Sequence, residues 1–171
     1  NLINPTPFQL SPAADWTKAT VSNYNTFIIK NNGTLWAMGD GRFGLLGNGT
    51  TTTINPTLQQ IGIATNWQKI SASTQMTIGL KTDGTIWGWG QNDQYEMENN
   101  TCCANQLTPI QISTANHWVD IESTSMGASA FALKNDGTIW GWGLNTAGLL
   151  GNSTVMARSV PTQLNADTDW A

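Results

Sequence analysis

Asp93, Glu96 and Glu98 fall within six residues of one another and make the most acidic point in the chain. Paired carboxylates at a fixed separation can share acid and base work on a glycosidic bond, and a larger set can hold a cation. Here they close along one loop with no orienting partner, which is weak support for either chemistry. His117 is the single histidine, and no residue spaced to act with it as a general base is in view. Cys102 and Cys103 are neighbours without a CxxC or Cys/His spacing, so a zinc site is not indicated. They leave three states open: a strained vicinal disulfide, a bond to another chain, or free thiols. Gly39-Asp-Gly41 and Asn135-Asp-Gly137 lack the closing acids of a calcium loop and read as turns. No nucleophile elbow, zinc-protease motif or phosphate loop is present. The expectation is a chain with no catalytic residue, no metal and no cofactor.

Binding chemistry is better represented. Tyr95 sits among those carboxylates, and Arg42-Phe43 occupies the matching loop of an earlier repeat. Tyr, Arg and Phe are enriched where partners make contact. Trp89 and Trp142 are two of nine tryptophans, and they stand where the first repeat has Met38. They fit either a core between repeats or an exposed face that stacks on sugar rings. The candidate partner-binding set is therefore Asp93, Tyr95, Glu96, Glu98, Arg42, Phe43, Trp89 and Trp142.

These residues hang on a repeat. Lys81-Thr-Asp-Gly-Thr-Ile-Trp-Gly-Trp-Gly90 recurs as Lys134-Asn-Asp-Gly-Thr-Ile-Trp-Gly-Trp-Gly143, and more loosely as Lys30-Asn-Asn-Gly-Thr-Leu-Trp-Ala-Met-Gly39. Each copy predicts the end of one strand, a tight turn whose glycine takes positive φ, and the start of the next strand. Trp16, Trp67, Trp118 and Trp170 recur at steps of 51, 51 and 52 residues. A β-like run follows each of the first three. Pro7, Pro56, Pro109 and Pro161 each lead a short run suited to an edge strand, where a missing N–H does no harm. No sustained 3.6-residue apolar period exists, so almost no helix is expected. Four short strands per repeat is the pattern of a propeller blade.

Together, the Trp-x-x-Ile/Val run, the Leu-Lys-x-Asp/Asn-Gly-Thr turn with Trp-x-Trp-Gly, the Gly-Leu-Leu-Gly-Asn loop and the Pro-x-Gln-Ile strand resemble the regulator of chromosome condensation repeat. The resemblance covers nearly the whole chain. It implies all-β blades of four antiparallel strands, in a family whose complete members are seven-bladed propellers, and it points to the family's bacterial secreted branch. The expected layout is one repeat domain: 1–15 the outer strand of a preceding blade, 16–66, 67–117 and 118–169 three repeats, and 170–171 the start of another. Three blades are too few to close a ring. We therefore expect part of a longer chain, or blades completed by neighbouring chains as a homo-oligomer.

Charged residues are only 11% of the 171, and the seven Lys and Arg form no cluster against a net charge of −4. That excludes a footprint for nucleic acid, and no apolar run reaches the ~20 residues of a membrane helix. Chromatin binding and nucleotide exchange, found in the family's eukaryotic branch, are not expected here. The leading expectation is a secreted or cell-surface, non-enzymatic module that binds a protein or glycan through variable rim loops. A self-assembling surface or fibre component is the alternative, and a carbohydrate-active enzyme is third. Copy two departs most from its neighbours: Gln94-Tyr-Glu-Met-Glu98 replaces Phe43-Gly-Leu-Leu-Gly47 and Ala147-Gly-Leu-Leu-Gly151, so a site is expected there.

Overall fold

The computed structural model describes residues 9–10, 14–93, 97, 104–125 and 127–165. Each repeat forms one four-stranded antiparallel sheet whose strands pair in chain order. The first blade is β1 (Trp16–Val21), β2 (Asn25–Lys30), β3 (Leu35–Gly39) and β4 (Asn55–Gln60). The second is β5 (Trp67–Ala72), β6 (Met76–Lys81), β7 (Ile86–Gly90) and β8 (Gln106–Gln111). The third is β9 (Trp118–Ser123), β10 (Ser129–Lys134), β11 (Ile139–Gly143) and β12 (Arg158–Gln163). Helix is confined, among the described residues, to a single 3-10 turn at Arg42–Gly44.

The turn motif works as one hydrogen-bonded assembly. Asp83 Oδ1 accepts from the Thr85 hydroxyl at 2.6 Å and from Thr85 N–H at 3.1 Å. The same hydroxyl accepts from Trp87 Nε1 at 2.9 Å. Gly84 takes φ 76° after a turn closed by Gly84 N–H to Lys81 O at 3.0 Å, the geometry of a three-residue hairpin loop. A Cβ there would lie 2.9 Å from His117 N, so glycine is required by space as well as by φ. Lys81 Nζ then sits 3.5 Å from the Trp87 ring centroid and 4.8 Å from that of Trp67. Lys30 and Lys134 repeat the clamp between Trp16 and Trp36 and between Trp118 and Trp140. A cation held over two indoles joins the second strand, the third strand and the entry to the first.

Adjacent blades approach most closely along their first strands. Thr20 Oγ1 donates to Ile70 O at 3.0 Å, Ser71 and Ser123 hydroxyls pair at 2.9 Å, and Lys69 bridges Asp120 and Glu122 at 2.7 and 3.2 Å. The wedges thus narrow toward β1, β5 and β9, with β4, β8 and β12 as the opposite edge. Between them lie two apolar seams. Phe27, Ile29 and Leu35 meet Trp67, Ile70 and Trp89 in the first, and Ile78, Leu80 and Ile86 meet Trp118, Ile121 and Trp142 in the second.

Two expectations need adjusting. Pro109 and Pro161 lie fourth in their six-residue strands instead of leading them. Both are on edge strands and beside a register irregularity, so the absent N–H is tolerated by position in the sheet. The second concerns Trp89 and Trp142, which are fully buried. That corrects the sugar-stacking expectation, because alternation carries both onto the face their blade packs against its predecessor.

Candidate partner-binding rim

Turns and loops separate onto two ends of the blades. The β1–β2 and β3–β4 connections share one end, because Asp40 N–H donates to Tyr24 O, Gln91 N–H to Gln75 O and Leu144 N–H to Ala128 O at 2.8–3.1 Å. The β2–β3 turns share the other end with the linkers between blades, where Asn31, Thr82 and Asn135 N–H groups donate to Asp15, Asn66 and His117 O. Repeat-specific side chains belong to the first end.

There the β3–β4 loop of the first blade is pinned from within. Asp40 Oδ1 accepts from Arg42 N–H at 2.9 Å, and Asp40 Oδ2 accepts from Arg42 Nε at 2.7 Å with a second guanidinium nitrogen at 2.6 Å. Burial opposes charge on Asp40, but these Arg42 hydrogen bonds and its positive charge outweigh that and lower the carboxyl pKa. Arg42 keeps 53% of its side chain in solvent with its guanidinium already oriented. Phe43 follows in the left-handed region at φ 59° and is 43% exposed. A non-glycine residue in that region costs about 1–3 kcal/mol. Tyr24 is 65% exposed on the facing turn. A cleft of about 160 Å³ opens between these residues and Ser73 and Thr74 of the second blade.

Beneath the rim, the same loop clasps the next blade. Leu45 O accepts from the Thr77 hydroxyl and from Trp89 Nε1, each at 2.9 Å. Gly47 lies so close that a Cβ would sit 2.9 Å from Trp89 Nε1. Gly49 N–H donates to Leu107 O at 2.9 Å and ties the loop to β8. The Gly-Leu-Leu-Gly-Asn repeat is therefore blade-joining structure, whereas Arg42 and Phe43 just before it are free to vary.

Of the residues singled out from sequence, Arg42 and Phe43 stand together on the rim. Asp93 is exposed at the same end of the second blade, accepting from Gln91 Nε2 at 2.7 Å. Tyr95, Glu96 and Glu98, with Cys102 and Cys103, lie outside the described residues. Copy two keeps one anchor of copy three: Met97 is buried with its N–H on Asn92 Oδ1, as Leu150 N–H is on Asn145 Oδ1. His117 is an exposed linker residue at φ 72°. Sequence reasoning did not single out Tyr24, whose signal was an aromatic where the second copy carries Gln75.

The blade geometry and this loop grammar define an RCC1-type repeat array. Family profiles described as "Regulator of chromosome condensation (RCC1) repeat" match residues 83–129 and 136–170, and a second of the same description matches 67–96. The chain belongs to this family. Among relatives, it is 26% identical over 94% of its length to human probable E3 ubiquitin-protein ligase HERC6, of which it covers 16%. It is 25% identical over 86% of its length to the mitochondrial RCC1 domain-containing protein RUG3 of Arabidopsis thaliana, covering 35% of that protein. Its fold matches Prp20p of Saccharomyces cerevisiae, a structure described with its binding to Gsp1p and histones, at TM-score 0.79 and 16% identity. That match covers 91% of this chain and 39% of the other. Human WBSCR16 matches at TM-score 0.75 and 16% identity over 86% of this chain and 37% of its own. The chain thus spans less than two fifths of each of these proteins.

Proposed function

We propose that this chain is a non-enzymatic protein-binding module that takes its partner on the loop end of the blades, centred on Tyr24, Arg42 and Phe43. The observation that carries this is the Asp40–Arg42 lock, which presents an oriented guanidinium beside an exposed aromatic held at a strained φ. Residues of these types supply the large energies at protein interfaces, and pre-ordering them lowers the entropy cost of association. Asp93 extends the rim onto the second blade. The secreted or cell-surface setting is part of this proposal and is supported by the low charge and the Thr- and Asn-rich surface. A glycan partner has less support, since the tryptophans that would have stacked on sugar are in the core.

The test places a photo-cross-linking residue at Tyr24 and, separately, at Asn31 on the opposite end, then measures a captured partner's affinity for Arg42→Ala and Phe43→Ala variants. Capture from Tyr24 alone, with each alanine weakening binding about 30-fold, is expected for hot-spot residues worth about 2 kcal/mol. Equal capture from both ends, or unchanged affinity in both variants, would overturn the reading.

A further inference from the structure

The Asp40–Arg42 lock occupies only one edge of a planar guanidinium. Asp40 Oδ2 takes Arg42 Nε at 2.7 Å and one terminal nitrogen at 2.6 Å, which is the side-on edge. The end-on edge, where the two terminal nitrogens lie side by side as a fork of donors, meets no acceptor among the described residues. Beside it, Ser22, Asn23, Tyr24 and Thr74 line the 160 Å³ cleft with side chains that make no hydrogen bond among the described residues. The lock is no part of the blade plan. The second repeat has Gln91 and Asp93 at its two positions, and the third has Leu144 and Thr146. Those repeats hold their loops through Asn92 and Asn145, where the first has Gly41.

We propose that this cleft takes the carboxylate of an acidic side chain, Asp or Glu, carried by a protein partner. The inference rests on the loop-end reading above and names the chemistry that site selects. A guanidinium fork presents two coplanar donors at the spacing of two carboxylate oxygens, the strongest neutralising contact a side chain offers an acid. Asp40 is buried and both its oxygens are bonded to Arg42, so an incoming group meets donors. The hydroxyls of Ser22, Tyr24 and Thr74 add to them, and the exposed rings of Tyr24 and Phe43 give apolar cover for methylenes. The volume equals about five waters at ~30 Å³ each, and small-molecule sites run to about 300–1,000 Å³, so it suits one side chain. A single cation already paired with Asp40 matches a monoanion better than a phosphate dianion. Asp93, at the position equivalent to Arg42, puts a carboxylate on the second blade and repels the same acidic group there, which fixes the partner's register.

The experiment titrates the full, isotope-labelled chain by NMR with glutamate blocked at both ends, with glutamine blocked in the same way, and with inorganic phosphate. The Arg42 Nε–H and the Thr74 amide are followed. Blocked glutamate is expected to shift both saturably with a Kd of about 1 mM, the scale for a ligand this small. Blocked glutamine, which lacks the charge, is expected to bind about tenfold more weakly or worse. Arg42→Gln is expected to abolish that preference, and the Trp89 indole N–H, bonded to Leu45 O, reports whether the loop keeps its seat in the variant. Comparing glutamate with glutamine needs only the unaltered chain, so it decides the matter even if the variant does not fold. Equal Kd values for the two, no shift at Arg42 with either, or tighter binding of phosphate would each overturn the proposal. The loop-end reading would survive all three results, because it falls only on equal capture from both ends or on a captured partner indifferent to Arg42→Ala and Phe43→Ala.

Discussion

Replacing Gly47 and Gly151 by alanine, one at a time, isolates the clasp from the backbone that forms it. The two occupy the same position in their repeats and have similar conformations, φ 75° and φ 62°. Alanine in the left-handed region costs about 1–2 kcal/mol in either place, and loss of unfolded-state freedom returns about 0.4–1 kcal/mol. They differ in what the new methyl meets. At Gly47 it lies 2.9 Å from Trp89 Nε1 and 3.1 Å from two further ring carbons, and at Gly151 there is open space. Trp89 is fully buried and bonded to Leu45 O, so it has no room to withdraw. Forcing a methyl into such a contact adds about 1–3 kcal/mol. Gly151→Ala should therefore cost about 0–1.6 kcal/mol, whereas Gly47→Ala should lie about 1–3 kcal/mol below it. For a chain of this size that is a Tm difference of roughly 2–12 °C in calorimetry. Equal Tm values for the two variants would refute the clasp as the source of inter-blade order.

Thr85→Val removes the hydroxyl between Asp83 and Trp87 at nearly constant volume; urea denaturation should show a loss of about 1–2 kcal/mol, and an unchanged midpoint would contradict the turn assembly. Lys69→Met breaks an ion pair whose three side chains are partly or largely in solvent, so less than about 1 kcal/mol should be lost, and less at high salt. Asp40 has a depressed carboxyl pKa when folded, so its contribution to stability is complete above the ordinary Asp value of about 3.9 and is lost as pH falls through the folded value. Arg42→Ala removes the guanidinium bonds and charge and leaves only the N–H of position 42 to oppose burial, so NMR titration of the Asp40 carboxyl should show its midpoint moving up. A midpoint that stays put would separate Asp40 from Arg42.

Much of this architecture was legible in the chain because a period-two strand pattern and a positive-φ glycine are local signals. The Lys-x-Asp-Gly-Thr-Ile-Trp run places nearly every group of its turn within seven residues, so the repeat alone sufficed to read the hairpin. Trp89 was ambiguous because strand alternation gives a face but not what covers it. Its cover comes from a loop 44 residues away in sequence, through Leu45 O. The Gly-Leu-Leu-Gly motif was visible without its purpose for the same reason: Gly47 is explained by a tryptophan of another blade. At the rim, Arg42 and Phe43 were read from a change between copies. Tyr24 was missed because a single aromatic in a turn carries no period, and its placement beside Arg42 depends on the Asp40 N–H bond to Tyr24 O.

Backbone hydrogen exchange of the chain with and without its bound partner most directly tests the loop-end assignment. Slowed exchange at residues 22–25 and 40–45, with the opposite-end turns at 31–33, 82–84 and 135–137 unchanged, is the predicted result. Protection confined to those opposite-end turns, with the Tyr24–Arg42–Phe43 rim exchanging as before, would contradict it.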